Sequence, residues 1–175
     1  KVHREVVKMH QDGLTVLVVG HKGHAEVEGT MGQVNDNIYR VYTEDEVNAL
    51  NVPDPSKVGY VTQTTLSVDE TRSIIANLKK KFPGIKSLSP ADICYATQSR
   101  QLAVKQLAAQ VDAVLVVGSA TSSNSKRLRD IAQQEGVPAY LIDCSEEIDM
   151  NWLTGVDRVG ITAGASAPEH LVQGV

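Results

Sequence analysis

His24 and Glu26 stand two positions apart in Gly20-His21-Lys22-Gly23-His24-Ala25-Glu26, an imidazole next to a carboxyl. Close to a bound anion, such a pair can relay a proton. On a helix, Glu26 is equally a first-turn acid favoured by the dipole. Cys94, in Asp92-Ile93-Cys94-Tyr95, reads as a thiol at a helix entrance. There a thiolate is stabilised and serves as nucleophile or metal ligand, although a lone cysteine is also commonly a small buried apolar group. Cys144 fits that apolar reading better. Three further segments are dense in hydroxyls and amides: Thr62-Gln63-Thr64-Thr65-Leu66-Ser67, then 119–125 with Ser122, Ser123 and Asn124, then 162–169 with Ser166. Any one of these is readily a cap or a turn. Together with the His24 segment they describe a phosphate or diphosphate site. His21 and His24 have no local Cys or His to complete a zinc set. Dinucleotide-binding, phosphate-loop and nucleophile-elbow glycine motifs are absent from the sequence.

The elements around these segments explain why they converge. Apolar, β-branched runs at 14–19, 58–62, 113–117, 139–142 and 158–162 read as buried strands. Amphipathic stretches at 68–81 and 98–111 lie between them. That alternation predicts parallel βαβ units, and ligands of parallel sheets gather beyond the carboxyl ends of the strands. Each polar segment directly follows a predicted strand. Ser67 and Glu70 form a capping box for the helix through Ile74, Ile75 and Leu78. Lys79, Lys80 and Lys81 suit its C-terminal end before Pro83-Gly84 breaks the chain.

The chain also repeats itself. Val16-Leu17-Val18-Val19-Gly20 returns 98 positions later as Val114-Leu115-Val116-Val117-Gly118, and Val58-Gly59 returns as Val159-Gly160 at nearly the same offset. Repeated order at one offset predicts duplicated units: one α/β lobe over residues 1–88 and a second over 89–175. The same offset carries the counterpart of Cys94 to about five residues before Lys1. With both ends inside apolar patterns, the expectation is a chain belonging to a longer protein. Hydrophobic residues make up 42% of the 175, enough for a packed core. The net charge of −4 and 4% aromatics argue against a nucleic-acid binder. No apolar run suits a membrane helix, and two cysteines suit an intracellular protein.

These motifs, in this order and spacing, resemble the 4-hydroxy-3-methylbut-2-enyl diphosphate reductases (LytB/IspH). They run from Gly20–Gln33 through Thr62–Ser67, Asp92–Thr97 and Ser122–Ser125 to Thr162–Glu169, across essentially the whole chain. The resemblance implies reductive removal of the hydroxyl of an allylic diphosphate, giving isopentenyl and dimethylallyl diphosphate in the methylerythritol phosphate route. It implies a 4Fe–4S cluster on three cysteines, with Cys94 one of them and the other two on a missing N-terminal lobe. It implies Glu26 as the relay acid, Thr64 as the hydroxyl orienting water and the substrate alcohol, and His24, Ser122, Ser123, Asn124 and Ser166 as diphosphate-holding groups. Further implications are three similar α/β lobes, a ferredoxin- or flavodoxin-like electron donor, and a cytoplasmic or plastid location. Cys144 matches no family ligand, and Ala25 replaces a proline common in relatives. With two lobes alone, the chain is expected to be inactive. A different class of function is a diphosphate-binding module without redox chemistry.

Overall fold

A computed structural model describes residues 1–87 and 95–175. Cys94 and the expected lobe boundary lie outside the described residues. The chain divides into two compact units, Lys1–Ile93 and Cys94–Val175.

The first unit runs α1 (Val2–Gln11), β1 (Thr15–Val19), α2 (Ala25–Met31), β2 (Ile38–Val41), α3 (Glu44–Ala49), β3 (Val58–Thr62) and α4 (Val68–Lys81). Its three strands are parallel in the order β2-β1-β3, with Leu17 opposite both Tyr39 and Tyr60. The central strand is apolar throughout because both of its faces are covered. Leu17 and Val19 pack with Ile74, Ile75 and Leu78 of α4 on one side. Val16 and Val18 pack with Val6 and Met9 of α1 and Val27 of α2 on the other. Each such buried side chain stabilises the unit by about 1.5–3 kcal/mol.

The second unit runs α5 (Tyr95–Ala108), β4 (Ala113–Val117), α6 (Ser123–Gln134), β5 (Ala139–Ile142), two short 3-10 turns (Ser145–Glu147, Met150–Leu153), β6 (Val159–Ala163) and α7 (Glu169–Gly174). Its parallel strands take the order β5-β4-β6, matching the first unit's pattern of a central first strand between the next two. Val114 and Val116 face Val104 of α5 and Leu128, Ile131 and Ala132 of α6. Leu115 and Val117 face Trp152, Leu171 and Val172. The two repeated sequence pairs therefore occupy matching places, the central strands and the edge strands β3 and β6.

Several expectations need correction. β2 and α3 were not anticipated: Ile-Tyr-Arg-Val is a short edge strand with a charged residue and mostly half-buried positions. The 158–162 run is a strand, shifted by one residue, but it is not buried. Ile161 is 46% exposed because Gly160 packs on Leu107 of α5 while the opposite face of β6 is only partly covered. The helix expected at 98–111 runs three residues earlier at each end. Ser67 does cap α4, accepting from the Glu70 N–H. The Glu70 carboxylate also accepts from the Tyr42 hydroxyl at 2.7 Å.

Candidate functional site

In the first unit the polar groups collect where β1 and β3 end. Gly20 closes β1 against α2: a Cβ there would meet Val27 Cγ2 at 2.5 Å and Gln63 Oε1 at 3.0 Å. The chain then turns through Gly23, whose φ of 75° suits glycine. His24 becomes the N-cap of α2, its Nδ1 accepting from the Glu26 N–H at 3.2 Å. With Nδ1 accepting, a neutral imidazole carries its proton on Nε2, a donor suited to a phosphate oxygen. Ala25 is the first helical residue, a place that suits proline because its φ is preset and the N–H it lacks has no intrahelical partner there; alanine keeps the helix start. The Glu26 carboxylate crosses to the end of β3. It accepts from the Thr64 N–H and from the Thr64 hydroxyl, both at 3.0 Å. Two residues 38 positions apart in sequence thus form a bidentate pair. A hydroxyl donating to a carboxyl keeps lone pairs for a second partner, so the pair is a two-group path for a proton.

Three groups not singled out by sequence frame this pair. Gln63, 3% exposed, accepts from the His21 N–H at 3.1 Å and donates to the Thr65 hydroxyl at 3.0 Å. The Tyr42 ring packs on His21 with centroids 4.0 Å apart. Arg40 donates to the Gly20 carbonyl at 3.3 Å and pairs through both Nη atoms with Glu46. Glu46 completes a capping box with Thr43 and also accepts from the Tyr42 N–H at 2.7 Å. Its signal was the Thr43-x-x-Glu46 spacing. Hydrogen bonding from Arg40, opposed by desolvation and joined by the Tyr42 and Thr43 amides, holds Glu46 below the usual carboxylate range. A depressed folded-state pKa gives stability that is present above the unfolded value and lost as pH falls through the folded one. Glu46→Gln therefore shrinks the acid-side loss of stability: the Tm gap between wild type and variant is largest near neutral pH and closes below the usual glutamate range. A gap that stays constant from pH 7 to pH 3 counts against the pairing.

In the second unit the corresponding place lies beyond β4 and β6. Ser122 is the N-cap of α6, its Oγ accepting from the Ser125 N–H at 3.2 Å and the Ser125 hydroxyl at 3.0 Å. Glycines at both strand ends admit this arrangement. A Cβ at Gly118, whose φ is 154°, would stand 2.3 Å from Ser125 Oγ, and one at Gly164 would stand 2.2 Å from the same atom. Asn124 is 8% exposed, and neither Nδ2 nor Oδ1 has a partner among the described residues. Its Nδ2, at the start of a twelve-residue helix, is a donor of the kind that suits an anion. Ser123 is half-buried beside it, and Ser166 is exposed two residues beyond Gly164. Arg100 of α5 donates to the Ala163 carbonyl at 3.2 Å, fixing the end of β6 from which that loop departs.

The structure thus brings Glu26, Thr64 and His24 onto neighbouring loops of one unit. It places Ser122, Ser123, Asn124 and Ser166 at the strand ends of the other. Cys94 lies outside the described residues. Cys144 is half-buried rather than buried, starting a 3-10 turn instead of filling the core. Hydrogen bonding to Glu146 raises its thiol pKa and keeps it protonated, which suits neither a nucleophile nor a ligand. Among the described residues no group of three His, Cys, Asp or Glu could hold a metal ion. Among them, too, no helix is long and apolar enough to cross a membrane.

The family model described as LytB protein matches residues 1–175. The chain belongs to the LytB family. Among curated members of that family, 4-hydroxy-3-methylbut-2-enyl diphosphate reductase 2 of Burkholderia mallei is 56% identical over all 175 residues. The reductase of Chromobacterium violaceum is 57% identical. The matches cover 54% and 56% of those proteins, so the chain spans about half the length of the curated LytB relatives it matches. The solved structure of the E-1-hydroxy-2-methyl-but-2-enyl-4-diphosphate reductase from Plasmodium falciparum is 37% identical. It superposes with a TM-score of 0.92 over 98% of this chain and 54% of that one. The two small parallel sheets are two lobes of that LytB fold.

Proposed function

We propose that the full-length protein carrying this chain is a 4-hydroxy-3-methylbut-2-enyl diphosphate reductase. Residues 1–88 form its middle lobe and 89–175 its C-terminal lobe, with a further lobe on the N-terminal side. It replaces the allylic C–O bond of its substrate by C–H, consuming two electrons and two protons and releasing water, and yields isopentenyl and dimethylallyl diphosphate for isoprenoid synthesis. The observation that carries this reading is the Glu26–Thr64 pair. A site that only held an anion would have no use for a carboxyl beside its donors, whereas a departing hydroxyl needs a proton. Glu26 is the source of that proton and Thr64 hands it to, and orients, the substrate alcohol. His24 supplies a diphosphate donor from the middle lobe; Ser122, Ser123, Asn124 and Ser166 supply donors from the C-terminal lobe.

The family's 4Fe–4S cluster supplies the electrons when bound. The described residues do not fit it by themselves, because no three of their ligating groups come together. Cys94 is the one family ligand in this chain, so two cysteines must come from the remaining lobe. The residues here alone are inactive on this reading. The electron donor is a small ferredoxin- or flavodoxin-like protein, and the location is the cytoplasm or a plastid stroma.

Anaerobically purified full-length protein with a chemical reductant converts the allylic diphosphate to both products, and Cys94→Ser lowers bound iron and abolishes turnover. Full iron content in Cys94→Ser removes that ligand assignment. A second reading, a diphosphate-binding module without redox chemistry, is favoured by the unmet Asn124 amide. Binding of inorganic diphosphate by a full-length protein that holds no iron and turns nothing over would establish it.

A further inference from the structure

Matching strand ends of the two lobes carry different residues just beyond the strand. The residue after β3 is Gln63, whose N–H bonds the Val19 carbonyl at 2.8 Å; the residue after β6 is Gly164, whose N–H bonds the Val117 carbonyl at 2.9 Å. At Gly164 a side chain would collide with Ser125. At Gln63 the same place holds a buried side chain with both amide ends engaged. One end grips the loop that leads to His24 and Glu26, through the His21 N–H. The other grips the turn that carries Thr64, through the Thr65 hydroxyl. From this we infer that Gln63 is a positioning residue: its amide locks the two loops in the register that lets Glu26 receive both Thr64 donors.

The inference rests on the reductase reading for its effect on turnover, but not for its geometry. A buried amide bridging two loops costs flexibility only where the loops must hold a distance. Here the groups held are the two 3.0 Å bonds between Glu26 and Thr64. The bonds it keeps in register are those of the Glu26–Thr64 pair, so its larger effect falls on the chemical step, with a smaller one on diphosphate binding through the His24 loop.

The test uses the full-length protein. Gln63→Met keeps the volume and removes both hydrogen bonds. It lowers kcat by about 10- to 100-fold, the worth of one or two buried hydrogen bonds, with KM for the allylic diphosphate within about threefold. Amide exchange at His21 and Thr64 quickens, while exchange in α4 does not change. Gln63→Glu keeps the acceptor for the His21 N–H and can take a hydrogen bond from a reversed Thr65 hydroxyl, so its kcat stands at least about fivefold above that of Gln63→Met. Should the methionine variant not fold, exchange at His21 and Thr64 faster than wild type in Gln63→Glu, with exchange in α4 unchanged, supports the clamp. The inference is overturned by unchanged exchange at both amides. It is also overturned by a kcat for Gln63→Met within about twofold of wild type, or by a glutamate variant no better than the methionine one. If the wild-type protein turns nothing over, the reductase reading fails, and amide exchange alone still decides the clamp.

Discussion

Glu26→Gln in the full-length protein lowers kcat by about 100- to 10,000-fold, the usual worth of a positioned acid, and leaves KM for the allylic diphosphate little changed. The amide is the same shape: its oxygen still accepts from the Thr64 N–H and its NH2 donates to the Thr64 hydroxyl, so the loop geometry survives. What it cannot do is give up a proton to a leaving hydroxyl. Losing kcat without KM is the mark of an interaction made only in the transition state. Thr64→Val then adds little to Glu26→Gln, because the two groups form one path: the hydroxyl donates to Glu26 Oε2 and has no purpose in the relay once the carboxyl is gone. Steady-state rates for the single and double variants measure this directly. Turnover undiminished in Glu26→Gln, or effects of the two substitutions that multiply fully, removes the relay.

How far the sequence reached is clear from particular residues. The central strands were legible because burial on both faces leaves an unbroken apolar run, as in Thr15–Val19 and Ala113–Val117. The repeat was legible for the same reason, and it extends beyond apolar positions. The N-cap His24 stands four positions after Gly20, as the N-cap Ser122 does after Gly118; two positions further stand Glu26 and Asn124. The Glu26 carboxyl and the Asn124 amide therefore stand at matching positions in the two lobes. Edge strand β2 was not legible, since half-burial allows Arg40 and erases the period-two signal. Nor was the pairing of Glu26 with Thr64 readable from spacing, because it depends on β1 and β3 lying side by side across 38 residues of intervening chain. The roles of Arg40, Tyr42 and Gln63 were hidden for that same reason: each acts on a loop belonging to a neighbouring strand.

Asn124→Leu separates stability from binding by moving them in opposite directions. In the ligand-free protein Asn124 buries a donor and an acceptor that nothing among the described residues satisfies. An unmet buried polar group costs about 1–3 kcal/mol, and leucine shares asparagine's branched heavy-atom shape, so the substitution raises Tm by about 2–10 °C. The same change removes a hydrogen bond to a charged acceptor, worth about 1.5–3 kcal/mol, and weakens diphosphate binding by about 10- to 100-fold. A residue that merely packed would lose stability on substitution; one that only capped the helix would leave affinity alone, since Ser122 already caps α6. Only a group kept unsatisfied for a ligand gives the paired result. Thermal unfolding without ligand and calorimetry with inorganic diphosphate on one preparation give both numbers, and a fall in Tm with unchanged affinity would return Asn124 to the core. The paired outcome assigns the polar ends of Asn124 to a ligand rather than to the core.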